Sequence, residues 1–188
     1  MLEASLEAAL EHDFFRWFGL QRYEPPQSLA GGGVWHGFRP DGAAFRDFVT
    51  VNLETDGTGR IADAKLCLDR AFIGHPQHGA FARDIAASFL RWSLGGAEQE
   101  QLRDFLAELG DLGPNVIRLA RAPVPQPPGP TTDLYRVFLG ETKDAARALP
   151  GKTLRLVNLQ ARDGPRDPQH DWIWIQLRLR AEHGSLTP

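Results

Sequence analysis

The stretch Trp172-Ile173-Trp174-Ile175-Gln176-Leu177-Arg178-Leu179-Arg180 alternates without a break. Ile173, Ile175, Leu177 and Leu179 fall on one face of an extended strand; Trp172, Trp174, Gln176, Arg178 and Arg180 fall on the other. Burying the aliphatic face turns the Trp/Arg face away from that core, because a slip of one residue would exchange the two sets. A sheet covered on one side is what such a strand requires, and the rest of the chain must supply both the sheet and the cover.

Three earlier segments extend the sheet. Val34 to Phe38 reads as a short strand. Phe45 to Leu53 puts Phe45, Val49, Val51 and Leu53 on one face, and Ile61 to Leu68 puts Ala62, Ala64, Leu66 and Leu68 on one face, with Asp63, Lys65, Cys67 and Asp69 opposite. Asp56-Gly57-Thr58-Gly59 between them is a turn signature, which makes the group an antiparallel meander. Further on, Val116 to Arg121, Leu134 to Leu139 and Thr153 to Ala161 read as strands, with a short helical turn from Lys143 to Leu149 ended by Pro150-Gly151.

The cover is helical. Leu2, Leu6, Leu10, Phe14, Trp17 and Phe18 recur at helical spacing before Gly19, which predicts one helix of about four to five turns. Gly74-His75-Pro76 opens a second helix with Phe81, Ile85, Phe89 and Trp92 on its buried stripe. After Gly95-Gly96 a third begins at Ala97 and carries Leu102, Phe105, Leu106 and Leu109, forming an αα-hairpin with the second. The order predicts an α+β fold of two layers: a largely antiparallel sheet, meander plus C-terminal strands, with about three helices packed on one face. Phe14, Trp17, Phe18, Phe81, Ile85, Phe89, Leu106, Ile173, Ile175 and Leu177 are the expected core. The opening order of helix, meander and helix resembles, in topology alone, that of secretion chaperones and small adaptor proteins, and the resemblance implies a binding role.

Composition bounds the rest. The chain has 188 residues, 42% of them hydrophobic and 24% charged, enough for one core without disulfide or metal staples. Ala122 to Thr132 holds five prolines and can be neither helix nor inner strand. The roughly 58 residues beyond it would be marginal alone, so a single domain over 1–188 with a Pro-rich loop or arm at 122–132 is expected. The start, Met-Leu-Glu-Ala-Ser-Leu-Glu, is acidic where a secretory segment would be basic, and no apolar run reaches the roughly 20 residues of a spanning helix. A cytoplasmic location away from membranes is the expectation. Residues 1–113 carry 10 basic and 17 acidic side chains, residues 114–188 carry 11 and 7, and the net charge of −3 argues against nucleic acid as a partner.

Chemistry has few handles. The single cysteine, Cys67, excludes a disulfide framework and lies among carboxylates that oppose its ionisation. No Gly-x-Ser-x-Gly elbow, phosphate-binding loop or dinucleotide fingerprint occurs, and Gly31-Gly32-Gly33 precedes a strand instead of a helix. No cofactor is expected, and no catalytic residue is named. His75, His78 and His170 with Asp167 or Asp171 are the residue types that hold zinc or iron, which makes a metal-dependent hydrolase or oxidoreductase the alternative function. Their spacing, with Pro76 between the first two, fits no regular helical face. The favoured reading is a non-enzymatic binding module. Trp172 and Trp174 with Arg178 and Arg180 combine amphipathic rings with bidentate donors, the types enriched at binding hot spots. Neighbouring strands would add Arg155 and Arg136, with Arg118 a further contributor. The partner would be a protein or peptide, a small anionic or aromatic ligand, or a second copy in a homodimer.

Overall fold

Asp56 organises the hairpin turn between Thr55 and Ile61: its Oδ1 accepts hydrogen bonds from Thr58 N (2.8 Å), Thr58 Oγ1 (2.7 Å) and Arg60 N (3.0 Å). These bonds, the Thr58 hydroxyl first, hold its carboxyl below the usual carboxylate range. Gly59 closes the turn at a φ of 80°, which favours glycine. The structure is a computed structural model that describes residues 4–42, 45–73, 75, 78–111, 132–159 and 172–179.

In chain order its elements are α1 (Leu6–Leu10), α2 (Asp13–Trp17), β1 (Leu20–Arg22), β2 (Gln27–Ser28), β3 (Val34–Pro40), β4 (Val49–Thr55), β5 (Ile61–Asp69) and α3 (Arg70–Ile73). There follow α4 (Gly79–Ser93), α5 (Gly96–Gln101), α6 (Arg103–Asp111), α7 (Asp133–Leu139), β6 (Asp144–Leu149), β7 (Lys152–Leu159) and β8 (Trp172–Leu179). The strands form one eight-stranded sheet in the order β1-β3-β4-β5-β8-β7-β6, with β2 also on β3. Every described pairing is antiparallel. The last strand lies between β5 and β7 and joins the meander to the β6–β7 hairpin. That hairpin turns on Pro150-Gly151, where Gly151 takes a φ of 67° at the position that needs it.

The helices cover one face. Val49, Val51, Leu53, Ala64, Leu66, Leu68, Leu154 and Leu156 are fully buried and belong to one hydrophobic cluster with Ile85 and Phe89 of α4, Phe105 and Leu109 of α6, and Leu134, Val137 and Phe138 of α7. α4 packs on β5 and α6, and α7 on β6 and β7. Phe14 of α2 stacks on Trp92 of α4 at 5.3 Å, and Lys152 of β7 reaches Glu98 of α5 at 3.0 Å. Burial raises the Glu98 carboxyl, but the hydrogen bond and charge of Lys152 outweigh it and leave that carboxyl below its ordinary value. Among the described residues no helix is long and apolar enough to cross a membrane.

The α+β class and the antiparallel sheet are as the sequence predicts; several elements are not. The first helix is two, because the chain breaks at Glu11 and His12 restarts it, its Nδ1 accepting from Phe14 N at 3.1 Å. The restart rotates the stripe, so Phe14 and Phe15 are buried and Trp17 is 74% exposed. Phe45 sits in a turn before β4, and the third helix is divided into α5 and α6 at Leu102. Leu134 to Leu139 is helix, not strand. Thr132 Oγ1 caps it from Tyr135 N (3.2 Å), and Gly140 ends it at a φ of 82° with Glu141 N bonded to Arg136 O (2.8 Å) and Gly140 N to Val137 O (2.9 Å). Lys143 to Leu149, read as a helical turn, is strand β6. Val116 to Arg121 and most of the Pro-rich stretch lie outside the described residues.

Candidate functional site: the helix-free face of the sheet

Cross-strand partners share a face, so the register identifies what stands opposite the helices. Thr50, Asn52 and Glu54 of β4 pair with Cys67, Lys65 and Asp63 of β5. Those three pair with Trp174, Gln176 and Arg178 of β8, which pair in turn with Val157, Arg155 and Thr153 of β7. At the other end Trp35 and Gly37 of β3 stand opposite Glu54 and Asn52. The second face therefore runs from β3 to β7, opposite the side on which the buried residues of α4, α6 and α7 join those of the strands.

Charge on this face is balanced. Arg155 pairs with Asp144 at 3.2 Å, Arg178 has Asp63 as its register partner, and Trp172 has Asp69. Sequence alone suggests a positive patch; the register supplies it with carboxylates. The centre is also closed over: Asp63 is 4% exposed, Cys67 5% and Asp69 0%. Burial pushes the Cys67 thiol up to about 11, against weaker opposing effects of Thr50 and Lys65. Such a thiol is a packed side chain and a poor nucleophile at neutral pH.

At the β1–β3 edge, on the helix side, His36 is buried. Arg22 Nη1 lies 2.8 Å from His36 Nδ1, His36 Nε2 lies 3.5 Å from Thr55 Oγ1, and Thr55 Oγ1 donates to Val34 O at 3.3 Å. A guanidinium has only donors, so Nδ1 accepts and the neutral ring carries its proton on Nε2. Burial first, and the Arg22 charge second, hold this imidazole below its ordinary value.

The sequence-predicted site residues separate into groups. Trp172, Trp174 and Arg178 take register positions in β8 on the helix-free face, and Arg155 of β7 joins them there. Arg136 does not. It stands on α7, ion-paired to Glu141 at 3.4 Å, because Leu134, Tyr135, Val137 and Phe138 bury a helical stripe that carries Arg136 to the exposed side. Arg180, Arg118, His170, Asp167 and Asp171 lie outside the described residues. His75 and His78 are neighbours, with rings stacked at 4.4 Å and His75 Nδ1 accepting from His78 N at 3.3 Å. Parallel stacked rings do not aim two nitrogens at one ion. Among the described residues no group of three His, Cys, Asp or Glu side chains is arranged to hold a metal.

Four residues at the β3 end of the face escape the sequence reading. The Arg39 guanidinium carbon lies 4.1 Å from the Tyr23 ring centroid, and Tyr23 meets Trp35 edge-on at 6.1 Å. Gly37 lies beneath: a Cβ there would stand 2.5 Å from Trp35 Cη2 and 2.7 Å from Tyr23 Cε1. The signal was the alternation Trp35, Gly37, Arg39, which ending the strand at Phe38 cut short. On the helical side, an open groove of about 520 Å³ is lined by Arg91, Gln99, Glu100, Arg103 and Leu106, but Arg103 is ion-paired to Glu100.

No family model matches the chain, and comparison with the curated proteins and with the solved structures gives no match either.

Proposed function

We propose that the chain is a binding module that recognises a partner through the helix-free face of its sheet, with Trp172, Trp174, Arg178 and Arg155 at the contact. One observation supports this above the others: the core residues of α4, α6 and α7 join one side of the sheet, while aromatic, amide and charged residues share the opposite side by register. Around its buried centre the face offers side-chain variety without the enclosed cleft that small-molecule chemistry favours. The occupant is a protein, a peptide, an anionic or aromatic ligand, or a second copy of the chain.

The double variant Trp174→Ala with Arg178→Glu tests the reading. Sedimentation and native mass spectrometry of untagged protein should show a dimer or a co-purified ligand that the variant lacks, with its thermal melt retained. A variant that merely unfolds would make Trp174 part of the core and end the proposal. Stoichiometric zinc or iron, lost in His78→Ala, would replace it with metal chemistry.

A further inference from the structure

We infer that Arg39, stacked on Tyr23 beside Trp35, receives a carboxylate from an extended acidic segment of a partner polypeptide. The inference rests on the helix-free face being a binding surface and adds a site on β3, away from β8.

Arg39 differs from Arg155 and Arg22 of the same sheet. Arg155 is neutralised by Asp144, and Arg22 is committed to His36. Arg39 has no carboxylate partner among the described residues, and its Nε is buried without a hydrogen bond. A guanidinium lying on a ring sheds water from one face, keeps its terminal Nη donors for a carboxylate, and loses little further freedom when one docks. The arrangement is built into the backbone. Tyr23 N bonds to Gly37 O at 3.2 Å, and only a residue without a Cβ at 37 lets both rings close over the strand.

The setting selects the occupant. One unpaired cation matches one anionic group, and Trp35 beside it offers a half-buried apolar flank. Glu54, opposite Trp35, and the chain's net charge of −3 oppose a polyanion such as nucleic acid. A flat strand surface suits an extended chain better than an enclosed small molecule. An acidic polypeptide segment meets all three conditions.

Fluorescence anisotropy with a labelled Thr-Val-Glu-Val-Thr peptide, against its Thr-Val-Gln-Val-Thr counterpart, tests this at low salt. Wild-type protein should bind the Glu peptide saturably and the Gln peptide not at all. Arg39→Gln should weaken binding about tenfold or more, because a charge-assisted bidentate contact is lost. Arg39→Lys should fall between, and Arg16→Gln, on α2 and ion-paired to Asp13, should bind as wild type. If Arg39→Gln lowers the thermal melt, the Arg39→Lys comparison carries the result. Equal binding by Arg39→Gln and wild type, or none by wild type, overturns the inference. Displacement by millimolar acetate or phosphate would make a free anion the occupant, and a wild-type dimer lost in Arg39→Gln would make it a second copy; either overturns the polypeptide. Glu-peptide binding that survives Trp174→Ala with Arg178→Glu keeps the Arg39 site standing whether or not the β8 surface does.

Discussion

Two buried titratable side chains translate directly into measurements. Cys67, 5% exposed and with its thiol pushed up to about 11 by burial, should react negligibly with a disulfide reagent at mildly alkaline pH and completely once the chain is denatured. Rapid labelling of native protein would show that the face over β5 opens. His36 predicts a pH dependence of known sign. Its folded-state imidazole lies below the ordinary value of about 6.5, so the unfolded chain takes up the proton first on acidification. Its contribution is fully present above about pH 6.5 and is lost as pH falls toward the lower folded value. Urea midpoints should drop more between neutral and mildly acidic pH for wild type than for His36→Gln, which can accept from Arg22 and donate to Thr55 without titrating. Parallel pH curves for the two proteins would remove His36 from the account.

At the scale of elements, the sequence was legible where alternation was long and failed where segments were short. β4, β5, β7 and β8 keep strict alternation or a continuous ladder, and their faces follow from it. Leu134 to Leu139 is six residues of mostly apolar side chains, a length at which strand and helix cannot be told apart by periodicity. Thr132 before it and Gly140 after it were the discriminating marks, a cap at each end. Thr132 also donates its hydroxyl to Glu108 of α6, tying α7 to its neighbour. Thr132→Ala should therefore cost at least about 1 kcal/mol in urea denaturation, the usual value of an N-cap. A loss within error would mean that the cap contributes nothing. Asp144 to Leu149 failed in the other direction: three alanines favour helix locally, but pairing with β7 overrides the preference. The candidate site was half legible. Alternation found the β8 face, but the Arg39–Tyr23–Trp35 group depends on Tyr23 pairing across to Gly37 from just beyond β1, a contact the β3 pattern alone does not contain.

For the whole molecule, one hydrophobic cluster gathers residues from both sides of the Pro-rich stretch, from Ala9 to Leu156. Phe89 lies inside it, fully buried, with Phe14 at 5.9 Å and Trp92 at 5.7 Å. Phe89→Ala should cost about 3–5 kcal/mol, read as a lower denaturation midpoint at unchanged slope. A loss under about 1 kcal/mol would place Phe89 outside the core that organises the fold. The strand order carries a further consequence, in time. β5 ends at Asp69, and its partner β8 begins only at Trp172. At the ~5–20 residues per second of protein synthesis, the β5 edge emerges from the ribosome on the order of ten seconds before the strand that completes it. Through that interval the nascent chain presents an open, aliphatic strand edge, the kind of template that invites mispairing between neighbouring chains on a polysome. Loss of β8 would make that transient hazard permanent.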